Sequence, residues 1–286
     1  MVRTRLTRTA TEALRREVPC TVAILVGEDD FTTMRRYRTF AFTDYEHYLA
    51  HIEDLLRALR SRGMHVRAAV FDPAEFADYC AAEAMEPDAP ISRARYAADS
   101  AGPGAAVHYQ GESIDQLVRA VLHGAERRAT WERATRALDT SQSGPAALDR
   151  VTAAVATLIE RAGPGIHHLV CSASVHGVPL IAVLHAESED GPVQVREEDA
   201  LLFCAVLAAG TATDGGGGAV LRTRTGPGSR DTVRGWILRD GTLQPLNEAE
   251  VFNAYCTDHR TGEPIAPEHG VDYRSGFPLT EREGHS

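Results

Sequence analysis

Apolar positions along the chain change rhythm several times, and each change predicts an element. Residues 20–26, CTVAILV, form a continuous apolar run without alternation, which predicts a strand covered on both faces at the centre of a sheet. The polar GEDDFTT follows, then MRRYRTFAF as a second extended candidate. From Tyr45 the period becomes helical: Tyr45, Tyr48, Leu49, Ile52, Leu55, Leu56 and Leu59 share one stripe, with Thr43 and Glu46 as a capping box and Gly63 as the stop. HVRAAVF, 65–71, reads as a strand, and Asp72-Pro73 starts a short helix through Tyr79 and Cys80. Residues 86–104 are rich in Pro, Gly, Ala and Asp and read as a loop with one helical turn around Arg93 to Ala98.

The helical period returns at a second capping box, Ser113 and Gln116, and runs toward Leu138 until TSQSGP, 140–145, interrupts it. A further helix places Leu148, Val151, Val155, Leu158 and Ile159 inward and ends at Gly163. HHLVCSASV and VPLIAVLHAE then flank His176-Gly177, a two-residue hairpin signal. LLFCAVLAA is apolar all round, which predicts a buried helix, with Glu197, Glu198 and Asp199 in its first turn. AVLRTRT and TVRGWILRDG are two more extended segments, Asn247 and Glu250 cap a last helix, and a Pro-rich tail follows.

These elements predict an α+β fold of sheets with helical cover in two packed subdomains. Residues 1–140 form an α/β-type unit with a strand-helix-strand core, and residues 141–286 an α+β unit with an antiparallel sheet. Helix, hairpin, buried helix and two more strands are the arrangement of many small sensor and dimerisation modules. The stretch from Ile166 to Thr213, where a strand-rich segment meets a closing helix, resembles the end of a GAF domain, a resemblance of fold alone. The whole chain, especially VRGWILRDG and AEVFNAYCTDHRTGEPI, is similar to uncharacterised actinobacterial proteins, a resemblance that implies no activity.

Composition removes several chemistries. All 30 Lys+Arg positions are Arg, so no Schiff base, phosphate-loop lysine or lysine general base exists. A net charge of −10 argues against a general nucleic-acid or anionic-membrane binder. The longest apolar run, Ala200 to Ala209, is about half of the roughly 20 residues a membrane span needs. MVRTRLTRTATEALRREV has charge but no apolar core, so it does not read as a secretory signal. Five widely spaced cysteines without CxxC read as reduced thiols of a cytoplasmic protein.

Candidate sites follow from spacing. If His176-Gly177 is a two-residue turn, cross-strand partners have numbers summing to 353, as Val175 and Val178 do, and His168 faces His185. Glu187 lies one step along the same face, so His168, His185 and Glu187 could form a two-histidine, one-carboxylate metal site; the alternative is a half-solvated face carrying two ordinary histidines. Leu169, Cys171, Ala173, Leu180, Ala182 and Leu184 on the other face read as core. Asp29, Asp30 and Asp72 would meet at the carboxyl ends of two parallel strands, where magnesium could hold a phosphate. The alternative is that GEDDFTT is the turn of an antiparallel hairpin.

Arg36 and Arg38, on one face of the predicted strand, could grip an anion or merely charge a solvated edge. Tyr255-Cys256-Thr257-Asp258-His259 is too compact in sequence to predict a triad. GGGGAVLRT lacks the lysine and helix of a phosphate loop and reads as a flexible loop. The expectation is a cytoplasmic ligand-binding or protein-interaction protein of regulatory, sensor-like type, partnered by a small molecule or another protein, with self-association open. No cofactor and no catalytic residue are assigned. The competing expectation is an enzyme acting on an anionic or phosphorylated small molecule.

Overall fold

The computed structural model describes residues 20–100, 106–188, 193–226, 228–257 and 261–279. The chain divides into two compact units, Met1–Arg128 and Ala129–Ser286. Among the described residues no helix is long and apolar enough to cross a membrane.

In the first unit β1 (Cys20–Ile24) and β2 (Val66–Val70) run parallel, Cys20 opposite Val66 and Ile24 opposite Val70, and β3 (Val107–His108) lies antiparallel on the far edge of β2. Among the described residues β1 is therefore an edge strand and β2 the central one, a correction to the expected order. An unbroken apolar run reports that both faces of a strand are covered, whereas its edges are decided by where the rest of the chain returns.

GEDDFTT is not a turn but the helix α1 (Glu28–Met34), with Glu28, Asp29 and Asp30 in its first turn and Phe31 and Met34 buried. Acids suit a helix N-terminus as well as they suit a turn, which is why the segment misreads. The second extended candidate is absent: Met34 ends α1 and the chain turns through residues 35–39.

The stripe from Tyr45 is α2 (Tyr45–Ser61), burying Tyr48, Ile52 and Leu56, while Leu55 stays exposed. Its cap sits one residue later than expected: the Asp44 carboxylate accepts from the His47 amide at 2.7 Å, and Thr43 donates to Asp44. Beyond the end of β1, the Leu25 amide donates to the Tyr48 hydroxyl at 3.0 Å and its carbonyl accepts from Tyr45 at 3.1 Å. The helix thus satisfies the backbone groups that the sheet leaves free. α3 (Pro73–Ala82) follows Asp72, and α4 (Pro90–Ser100) packs along β1, longer than the single turn expected in that loop.

α5 (Ile114–Thr140) starts at the reciprocal bonds of Ser113 and Gln116 and carries the chain into the second unit. α6 (Gly144–Ala162) follows after three residues. β4 (Gly165–Val175) and β5 (Val178–Ser188) form the expected hairpin, every pair summing to 353 from Gly165–Ser188 to Val175–Val178. His176 and Gly177 take left-handed φ values of 50° and 81°, the conformation a two-residue primed turn requires.

β6 (Gln194–Val195) pairs with β5 on the far edge. α7 (Glu197–Ala212) is buried through nearly its whole length and lies on β4 and β5, with α6 against it. Gly210 permits that approach, because a Cβ there would come within 2.6 Å of the Ala173 Cβ.

β7 (Gly217–Arg224) and β8 (Asp231–Arg239) extend the antiparallel sheet. The expected glycine loop is half strand: Gly217 and Gly218 pair with Ala173 and Ser172, and side chains there would collide with the Ser172 and Trp236 carbonyls. β9 (Thr242–Pro245) and β10 (Val271–Tyr273) share the outer edge of β8, β10 in parallel, so the Pro-rich tail contributes a strand the sequence did not signal.

α8 (Glu248–Tyr255), opened by the Asn247–Glu250 capping box, covers the sheet face opposite α7 at the β8 end, where Val233, Val251 and Val271 are buried together. Over β4 and β5 that face is open, with Ile166 53% and Ile181 60% exposed.

Candidate functional site

Three groupings carry polar chemistry, two in the second unit and one in the first. On the open sheet face His185, His168, Arg222 and Val233 stand directly opposite one another across β5, β4, β7 and β8. The Nδ1 atoms of His168 and His185 are 3.1 Å apart, so one imidazole donates to the other. Burial first, then His185, then the Arg222 guanidinium hold His168 below the ordinary imidazole range. Glu187 is two residues beyond His185 and pairs with Ile166 instead. Among the described residues no three His, Cys, Asp or Glu side chains stand together as a metal would need, so the structure supplies a histidine pair and leaves Glu187 outside it.

Arg222 is committed to its own partners. It donates to the buried Asp231 at 2.7 Å, to Glu268 at 2.7 Å and to the Tyr255 hydroxyl at 3.1 Å, while Tyr255 donates to Glu268. Arg224 also donates to Asp231, at 3.3 Å, and the two guanidiniums hold that carboxyl below the usual carboxylate range. This network closes on itself and leaves no cation free for a ligand.

In the first unit the parallel pairing of β1 and β2 brings Asp30, Asp72 and Asp29 near enough to act on one another. The Asp30 carboxyl is raised, by burial first and then by Asp72 and Asp29. Asp72 already caps α3, accepting from the Ala74 and Glu75 amides at 2.8 and 3.0 Å. The expected basic partners do not face this cluster as a pair. Arg36 donates to the Tyr37 hydroxyl at 2.9 Å and lies 4.9 Å from that ring's centre, whereas Arg38 pairs with Asp88 at 3.3 Å. The strand that was to align them is a turn, so the two guanidiniums have separate partners. Asp258 and His259 of the Cys256 segment lie outside the described residues.

The third grouping was not singled out from the sequence. In the second unit a half-open cavity of about 350 Å³ lies between α5 and the tip of the β4–β5 hairpin. Its wall is apolar, made by Ala137, Val175, Val178 and Leu180, with Arg133, Arg136, Thr140 and His176 around it. The helical period explains the placement, since residues 133, 136, 137 and 140 fall on one stripe. Ala134 and Ala137 face the core with very short side chains, which is why α5 and the hairpin leave space between them. Arg133 and Arg136 are exposed, and among the described residues their guanidiniums have no ion pair or hydrogen bond. The only cue in the sequence was an Arg pair three residues apart beside two alanines, a pattern common on solvated helices.

All five cysteines are free. Burial raises the Cys171 and Cys204 thiols, Cys171 most strongly, and raises Cys80 as well, so none of these three is activated.

Residues 9–112, about a third of the chain, match the family model of a domain of unknown function (DUF8829). That match lies within the first unit and leaves the GAF-like stretch 166–213 without support. No curated protein and no solved structure matches the chain.

Proposed function

We propose that this protein is a ligand-binding protein of the regulatory, sensor-like kind, whose small-molecule site is the cavity between α5 and the hairpin. The cavity itself carries the reading. At about 350 Å³ it falls at the small end of the range for ligand pockets, and it joins an apolar wall to a few polar groups at its margin. Among the described residues its lining holds no carboxylate and no thiol to act as an acid–base partner beside its imidazole.

Thermal melting of the full chain against a panel of small neutral, anionic and cationic organic compounds tests this. A ligand at about 100 times its Kd adds about 2.7 kcal/mol to stability. The expected result is a raised Tm in the natural chain that disappears in Val178→Phe, whose ring fills the space. A panel without any shift, or a shift that Val178→Phe leaves unchanged, refutes the reading.

The enzyme reading draws on the parallel β1–β2 pair, which sets Asp30 beside Asp72 at the carboxyl end of the sheet, where open α/β sheets bind ligands. Melting with magnesium and inorganic phosphate together tests it. A shift lost on Asp30→Asn would favour it, and no shift would remove it.

A further inference from the structure

Building on the cavity as a ligand site, we propose that its ligand is a small monocarboxylate with an apolar body, the carboxylate held by Arg133 and Arg136 and the body lying against Val178 and Leu180. The two guanidiniums stand three residues apart on α5, so their Cβ atoms are about 5–6 Å from each other, a span one carboxylate bridges. Each is a planar fork that matches a carboxylate, and neither has an acidic partner among the described residues. Both residues contribute to the cavity margin, which puts their guanidiniums within reach of a carboxylate bound there.

The apolar wall narrows the class. A sugar phosphate or free phosphate would lose hydration against Val175, Val178 and Leu180 with no donor there to replace it. A short hydrocarbon or aromatic body gains by leaving water at the same surface. A competing explanation is structural, because cations toward the C-terminal end of a helix also complement its dipole. That role predicts a change in stability on removing the charges and no effect on any ligand.

Calorimetric titration of the full chain with hexanoate, 1-hexanol and acetate separates these cases. The proposal expects one hexanoate per chain, 1-hexanol about tenfold weaker or worse, which is 1.4 kcal/mol, and no acetate binding. In R133Q/R136Q, whose exposed positions leave the fold intact, hexanoate should fall to the level of 1-hexanol, and Val178→Phe should lose both. If 1-hexanol binds the natural chain as well as hexanoate does, or if R133Q/R136Q keeps its hexanoate affinity, the carboxylate assignment is overturned while the cavity remains a ligand site. If hexanoate does not bind at all, the assignment falls, and the compound panel decides separately whether the cavity binds anything.

Discussion

His167 offers the sharpest test of the second unit. It neighbours the exposed His168 in sequence, yet alternation along β4 turns it inward, where it is fully buried. Its Nε2 lies 2.9 Å from the Gly163 carbonyl, so that nitrogen carries the proton, and Nδ1 accepts from the Thr223 hydroxyl at 3.1 Å. Burial depresses its pKa, outweighing the bond to Gly163.

The native ring therefore stays neutral as pH drops below about 6.5, while the unfolded chain takes up a proton there. Stability from this residue is complete above that pH. It is lost at up to about 1.4 kcal/mol per pH unit until the lowered native pKa is reached.

Replacing His167 by Leu removes the titration and leaves the half-buried Gly163 carbonyl and the buried Thr223 hydroxyl without this partner, at a cost of about 1–3 kcal/mol near pH 8. Urea unfolding followed by circular dichroism from pH 8 to pH 5 gives both curves. The gap between natural chain and variant should narrow as pH falls, and the other eleven histidines cancel in the difference. Parallel curves across that range would refute the neutral, buried assignment.

Gly210→Ala sets a helix-propensity gain of about 1 kcal/mol against the cost of forcing two Cβ atoms together, about 1–3 kcal/mol. The neighbour is Ala173 on a central strand and cannot swing away, so net destabilisation is expected; a variant as stable as the natural chain would refute the close helix–sheet contact. The native protein should react slowly with an alkylating reagent at Cys171 and Cys204, and labelling of either within minutes at neutral pH would show that the α7–β4 layer opens. Arg36→Gln with Arg38→Gln should change stability by no more than about 0.5 kcal/mol, as exposed pairs do, and should alter no anion-dependent melting shift.

How much the residues alone disclosed depends on how local the determining physics is. The hairpin was readable in full because a two-residue turn at His176-Gly177 leaves one register, and strict alternation then assigns Leu169, Cys171, Leu180 and Leu184 to the core and His168 and His185 outward. The same parity, carried two residues back from Leu169, places His167 inside as well. α7 was readable because an all-apolar helix has no side to leave in water. Caps were readable to within a residue, as Asp44 in place of Thr43 shows.

What tertiary structure decided is whatever depends on segments far apart meeting. Nothing in CTVAILV states that its second edge stays unpaired among the described residues, and the described part of the tail acquires its three-residue strand by lying beside β8. GEDDFTT could cap a helix or close a hairpin with equal local merit, and packing of Phe31 and Met34 into the aromatic core chose the helix, which scattered Arg36 and Arg38. The cavity lay furthest from sequence reading. It exists because a helix bearing Ala134 and Ala137 meets a hairpin some 40 residues later, and the unfilled volume between them belongs to neither segment alone.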